Sequence, residues 1–290
     1  MHPAPSIIVF TVFSGLGFGL LAWLGAGFLA PTGWAAFAHY ALAFALAGGG
    51  LIAATFHLAN PRNAVKSFSQ WRTSWLSREA VLAAATMAVM GLQAALSVFA
   101  APVAALGWLG AGLAVATVYA TAMIYGQLRS VPRWHQPLTP VLFVVMALGG
   151  GALLAGQVLV ALILLPLAAL VQIAVWLVGD GRFAAAGSTM ESATGLGSMG
   201  RVRLLEPPHT GENYLLREMV HVVARRHAVR LRWIALAAMA PLPVLMLLAT
   251  GGGTVAATLA ALCHLAGALA ARWLFFAEAE HVVGLYYGKR

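Results

Sequence analysis

His57 stands at the end of one apolar run and Glu79 at the start of the next, and the residues between them include Arg62, Lys66, Arg72, Trp71, Trp75 and Arg78. An imidazole titrates near neutrality, and a carboxyl at a water boundary takes or releases protons readily. Such a pair suits a quinone, whose two carbonyl oxygens need hydrogen-bond donors and whose two-electron chemistry moves two protons. Pro61 stops the helix that leads to His57, and Ser77 is predicted to cap the next helix with Glu79 in its first turn. Antiparallel spans joined by a short loop end at one depth. His57 and Glu79 are therefore predicted to face one pocket, with Arg62, Arg78, Trp71 and Trp75 around it and Ser67 in the intervening loop. The same residues also allow a plainer account, in which the histidine is an interfacial anchor and the glutamate a partner of the helix dipole.

The elements that must position this pair follow from composition. Of 290 residues, 61% are hydrophobic and 9% charged, against roughly a quarter charged in soluble domains. That polar surface is too small to cover a water-soluble globule. The apolar runs continue for about 20 residues without period-two alternation, so the chain is predicted to be all-α, a polytopic membrane protein rather than a barrel. Eight spans are predicted, at 6–29, 36–58, 79–100, 103–125, 138–155, 158–178, 233–249 and 254–271. The fifth and sixth are short, interrupted by Gly149–Gly151 and Gly156-Gln157, with a very tight turn between them. No stretch outside the spans is long enough for a second core, so residues 1–290 form a single membrane domain. The N-terminus lacks a basic region and a small-residue cleavage site, and is not expected to be a cleavable signal peptide.

The net charge of +9 resolves into a topology. Four of the 17 Lys and Arg residues lie in the 59–78 loop, two in 126–137, eight in 179–232 and three from Arg272 onward. The connections at 30–35, 101–102, 156–157 and 250–253 carry none. Eight spans thus put every basic residue on one side, which the positive-inside bias makes cytoplasmic together with both termini. The charge is topogenic, and nucleic-acid binding is not expected.

Other polar residues are sparse. No span carries an Asp or Glu in mid-membrane, which argues against an ion-coupled transporter. A small-solute transporter would also show internal repeats, and none is evident. His264, beside Cys263, is the one deep histidine, and His39 lies near the outer end of the second span. A b-type cytochrome needs facing deep histidines, so no haem is expected; a hydrogen bond to a neighbouring helix is the alternative role for His264. With Cys263 as the single cysteine, the chain can hold neither an internal disulfide nor an iron–sulfur cluster by itself.

Residues 179–229 are too long for a mere connection. They combine glycines and small residues at 187–197, a basic apolar strip containing Arg201 and Arg203, a Pro207-Pro208 break, the stretch from His209 to Tyr214, and an amphipathic pattern from Leu215 to His227. The mixture is predicted to be a docking surface for a soluble partner, with Arg201, Arg203, His209 and Tyr214 as contacts. A lipid-surface helix is the alternative.

The opening Ile-Ile-Val-Phe-Thr-Val-Phe-Ser-Gly (7–15), the His-Leu-x-Asn-Pro motif (57–61) and Ser-Trp-Leu-Ser-Arg-Glu (74–79), with eight spans over the whole chain, resemble the membrane anchor subunit of DMSO-reductase-type molybdenum enzymes. The resemblance implies a haem-free anchor of the bacterial inner membrane. Such an anchor exchanges electrons between ubiquinone or menaquinone and a four-cluster iron–sulfur subunit, which serves a molybdopterin catalytic subunit. It also implies that His57 and Glu79 are the quinol-binding pair. Ala59 stands where the family often has Gly, and Asn63 where a basic residue is common, with Arg62 one place earlier. The 179–229 segment is similar to that of a branch associated with cytoplasmic sulfite-oxidising enzymes.

Overall fold

The computed structural model describes residues 1–56, 60–206, 209–211, 213–219 and 227–288, so His57 and residues 220–226 of the predicted amphipathic stretch lie outside the described residues. Among the described residues every regular element is helical. The bundle is built from α1 (Pro5–Gly25), α2 (Gly33–Thr55), α3 (Trp75–Phe99), α4 (Ala104–Gly126), α5 (Leu138–Leu154) and α6 (Val158–Ala185), then, after the short α7 (Met190–Thr194), from α8 (Ala228–Met239), α9 (Pro241–Thr250) and α10 (Thr254–Ala277). Seven segments among the described residues are long and apolar enough to cross a membrane, with α8 and α9 together forming one of them. The eighth apolar helix, α5, has 17 residues and reaches about 25 Å, slightly less than a hydrocarbon core.

Helix α1 is the hub. Its apolar residues run around its whole circumference, as a fully surrounded helix requires, and it packs against α2, α4, α5 and α10. Close approach depends on glycine: a Cβ at Gly17 would lie 2.3 Å from the Ala47 nitrogen of α2, and one at Gly19 would lie 1.9 Å from the Ala147 carbonyl oxygen of α5. In lipid, where apolar burial drives little, such backbone contact is a main source of helix association.

Gly149–Gly151, predicted to interrupt the chain, instead lie inside α5. A Cβ at Gly151 would meet the Gly19 carbonyl carbon at 2.3 Å, so the run is a packing surface. The turn between α5 and α6 is made by Gly156 at φ +65°. The seventh span is broken at Ala240, because Pro241 and Pro243 remove the N–H groups that would bond the carbonyls four residues earlier. His264 Nδ1 of α10 donates to the Met239 carbonyl oxygen at 2.6 Å, and Cys263 Sγ to that of Ala238 at 3.4 Å. The deep histidine thus caps a carbonyl orphaned by Pro243.

Helix ends alternate between two faces of the bundle. At one end the N-terminal amine donates to the Ala279 carbonyl at 2.7 Å and Val282 N–H to that of Ser130 at 2.9 Å. The same end holds a four-member charge cluster: Arg133 and Arg232 both bond Asp180, at 2.5 and 2.6 Å, and Arg232 also bonds buried Glu278 at 2.7 Å. At the opposite end Gln157 Nε2 reaches the Phe28 carbonyl at 2.9 Å. Two predicted boundaries shift at the charged end. Helix α6 continues past Val178 through Asp180 and Arg182, and α10 continues past Ala271, so Arg272 is a buried helix residue rather than part of a tail. A charged residue reads in sequence as the end of a span, whereas here tertiary partners or rings surround it.

Candidate functional site

Asn60 opens a 3₁₀ segment, Pro61–Phe68, by accepting a hydrogen bond from Arg62 N–H at 3.2 Å. This segment, the end of α2 and the start of α3 enclose a cavity of about 650 Å³. Phe10, Leu51 and Leu76 supply apolar wall, while Asn60, Asn63, Lys66, Ser67, Gln70, Ser74, Ser77 and Glu79 supply polar groups. Thr55 and Asn60, on the two sides of His57 in the chain, both line it.

Glu79 is 4% exposed. Helix α3 begins at Trp75 with Ser74 as N-cap, not at Ser77, and Ser74 makes no side-chain cap bond. The earlier start moves Glu79 beyond the first turn and turns it, with Ser77, onto the buried face. Thr121 of α4 donates its hydroxyl hydrogen to Glu79 Oε1, and the same Oγ1 lies 3.0 Å from the Thr117 carbonyl oxygen. A carboxylate is satisfied by the first arrangement. A neutral carboxyl is satisfied by the second, donating to Thr121 while Thr121 donates to Thr117. The hydroxyl therefore accommodates both protonation states, as a proton-exchanging group requires.

Of the residues predicted around the pocket, the structure brings Glu79 and Ser67 to the cavity wall and leaves Arg62, Arg78, Trp71 and Trp75 off it. Arg78 instead braces the loop: Nε donates to the Trp71 carbonyl at 3.1 Å, Nη2 to that of Arg72 at 2.7 Å, and the guanidinium lies 4.4 Å from the Trp75 ring centroid. Trp75 packs edge-on to Tyr119. Arg62 is exposed. The cavity also holds Lys66 and the amides of Asn60, Asn63 and Gln70, which sequence reasoning did not select; the polar run through the loop was their only signal. Thr121 was marked by nothing except its spacing of four from Thr117.

The cavity has the size and lining of a small-molecule pocket. Its volume lies in the range of small-molecule pockets, and a mostly apolar wall with a few polar groups is their usual lining. Its polar lining offers amide, ammonium and hydroxyl donors together with the Glu79 carboxyl. A second opening of about 310 Å³ between α6 and α8 is lined by Trp176, Trp233 and aliphatic residues; Arg232 in its wall is already bonded to Asp180 and Glu278.

Arg201, Arg203, His209 and Tyr214 are all exposed on the segment that follows α6. A C-terminal 3₁₀ turn, Val282–Tyr287, holds that segment at the charged end. Tyr287 stacks on His209 with ring centroids 6.0 Å apart and accepts a hydrogen bond from Asn213 at 3.0 Å, while Tyr286 donates to the Ala193 carbonyl. Hydrogen bonds hold the Glu191 carboxyl below the usual range, its own backbone N–H first, then the Thr189 side chain and the Val202 N–H. His39 is bonded to the Ala35 carbonyl within its own helix, at 2.8 Å.

Comparison with known proteins agrees with this architecture. The profile of the DMSO reductase anchor subunit family (DmsC) matches residues 1–277. A sulfite dehydrogenase subunit of Allochromatium vinosum is 32% identical, with 99% of each chain covered. The anaerobic dimethyl sulfoxide reductase chain YnfH of Escherichia coli is 33% identical over 39% of this chain and 41% of its own. No solved structure matches. The chain is a multi-pass membrane protein and belongs to the DMSO reductase anchor subunit family, whose members tether catalytic and iron–sulfur subunits to a membrane.

Proposed function

We propose that this chain is the quinone-reactive anchor of a molybdenum oxidoreductase of the bacterial inner membrane, with the charged end of the bundle facing the cytoplasm. The observation that carries the proposal is the 650 Å³ cavity with buried Glu79, Thr55 and Asn60 in its wall. A bound quinone supplies two-electron, two-proton chemistry. The chain's own part is to bind and to manage protons. His57 bonds one carbonyl oxygen, Glu79 takes or gives a proton while Thr121 satisfies either state, and Lys66 with the amides orients the headgroup. The apolar wall admits the headgroup from the bilayer and limits water.

The partners are a four-cluster iron–sulfur subunit, seated on the 59–78 loop and the exposed surface of the 186–219 segment, and a molybdopterin catalytic subunit beyond it. No haem is needed, because electrons come from a cluster docked at the same end as the cavity. Since site and partner share one side, little charge crosses the bilayer and the protein is not a pump. The full-length similarity to a sulfite dehydrogenase subunit favours sulfite:quinone oxidoreduction over DMSO reduction.

The test is turnover of the assembled complex with quinone and, separately, with an artificial dye that accepts electrons upstream of the anchor. His57→Ala and Glu79→Gln are expected to lose at least about tenfold of quinone-linked activity, the lower range for removing a positioned proton group, and to keep the dye-linked activity. Full quinone-linked turnover in both variants refutes the assignment.

A further inference from the structure

A third cavity lies among α1, α4, α5 and α10, and Thr121, which bonds Glu79, is part of its lining. Thr11, Ser14 and Leu16 of α1, Thr121 of α4, Met146 of α5, and His264 and Arg272 of α10 are in its lining. About 30 Å³ of it is open to water, room for about two molecules at 10–15 Å³ each.

Its polar groups are arranged for a small ligand that both donates and accepts. Arg272 is 7% exposed and its Nη1 has no hydrogen-bond partner among the described residues. Stacking at 3.5 Å on the Phe143 ring offsets part of the charge burial without providing an acceptor. His264 is 1% exposed. Its Nδ1 hydrogen is committed to Met239, which leaves Nε2 of the neutral ring as an acceptor, also unpartnered. Thr11 and Ser14 give their hydroxyl hydrogens to the Ile7 and Phe10 carbonyls, so their oxygens too can only accept. One donor-only cation thus faces several acceptors across a space that none of the side chains bridges. Gly150 abuts two of the lining residues: a Cβ there would collide with Leu16 Cδ2 and lie 2.8 Å from His264 Nε2.

We propose that this chamber is a hydrated site in which ordered waters join the Arg272 guanidinium to His264 and to Thr121, and that Thr121 couples them to Glu79. Arg272 is then a positioning residue for Glu79, a counter-charge reached through water and one hydroxyl. The hydration does not rest on the quinone reading; only its bearing on the proton exchange of Glu79 does.

Pulsed hydroxyl-radical labelling by X-ray radiolysis of the assembled complex reads bound water at buried methionines. Met146 lines the chamber and is 8% exposed, whereas Met90 and Met239 are fully buried and lie outside it. Met146 is expected to be labelled severalfold faster than either; equal labelling overturns the proposal. Arg272→Met is expected to reduce Met146 labelling to the level of Met90, and Arg272→Lys to retain it. Undiminished labelling in Arg272→Met overturns the role of Arg272, and the wild-type comparison stands if that variant does not assemble. The link to Glu79 is read from its carboxyl vibration, identified by its loss in Glu79→Gln. Arg272→Met is expected to displace that band in the wild-type background and not in Thr121→Val. Additive displacements overturn the coupling. None of these readouts uses quinone turnover, so hydration and the quinone assignment can fail separately.

Discussion

Replacing His264 by leucine tests the cause of the broken seventh span. The substitution keeps an apolar group of useful size and removes the Nδ1–H bond to Met239 O. In an intact helix that carbonyl would accept from the N–H four residues on, but that residue is Pro243, which has none. The carbonyl is left bare inside the bundle. Leaving a buried acceptor unsatisfied costs about 1–3 kcal/mol in proteins generally, while interhelical hydrogen bonds in membranes average about 0.6 and reach about 1.7 kcal/mol. Because no backbone donor can substitute, the upper part of the membrane range applies, and a loss of about 1.5 kcal/mol is expected. Reversible unfolding in mixed micelles by increasing denaturing detergent provides the measurement. His264→Asn, whose amide can still donate to the carbonyl, is expected to recover part of the loss, which a pure volume effect would not allow. Cys263→Ala, removing only a 3.4 Å thiol contact, is expected to fall within about 0.5 kcal/mol of wild type. A His264→Leu protein as stable as wild type refutes the capping role.

Three other outcomes follow from packing and charge. Gly19→Ala drives a methyl group against the Ala147 carbonyl; backbone cannot yield cheaply, so a loss of about 3 kcal/mol or more is expected in the same unfolding assay. Arg232→Met leaves Glu278, 4% exposed, with the 3.5 Å contact to Arg133 as its remaining ion pair among the described residues. A buried charge left wholly unpaired costs about 3–5 kcal/mol; with Arg133 still beside Glu278 a loss at or below the lower end is expected, and Glu278→Gln in the Arg232→Met background is expected to restore much of it. Tyr286→Phe removes the bond to the Ala193 carbonyl and is expected to speed proteolysis between residues 186 and 206 without moving the global unfolding midpoint.

The spans were legible because a bilayer demands about 20 apolar residues in sequence, a local property. The bonds from Met1 to Ala279 and from Val282 to Ser130 bring the first residue, the 128–135 connection and the 279–288 segment to one end of the bundle. Boundaries were legible only where no tertiary partner intervened. Asp180, Arg182 and Arg272 read as ends of spans, yet salt bridges from Asp180 to Arg133 and Arg232, a hydrogen bond from Arg182 to the His135 carbonyl and stacking of Arg272 on Phe143 hold them within helices. Gly149–Gly151 read as a break because local propensity disfavours glycine in helices, and the contact with Gly19 overrides it. The alternative offered for His264, a bond to a neighbouring helix, is the one observed; its proline cause required knowing which helix lay opposite. At the candidate site, Glu79 and Ser67 reach the cavity, but the orientation of Arg78 toward loop carbonyls depends on the path of the 69–74 turn, which sequence does not specify. Thr121 was invisible for the same reason: its pairing with Glu79 exists only after α3 meets α4.

Where quinone binds is the central claim. Photolabelling the assembled complex with an azidoquinone, followed by peptide mapping, tests it directly. Label is expected between Leu51 and Ala80, displaced by excess unmodified quinone and reduced in Glu79→Gln. Label confined to the groove between α6 and α8, at Trp176 and Trp233, with none at 51–80, would contradict it.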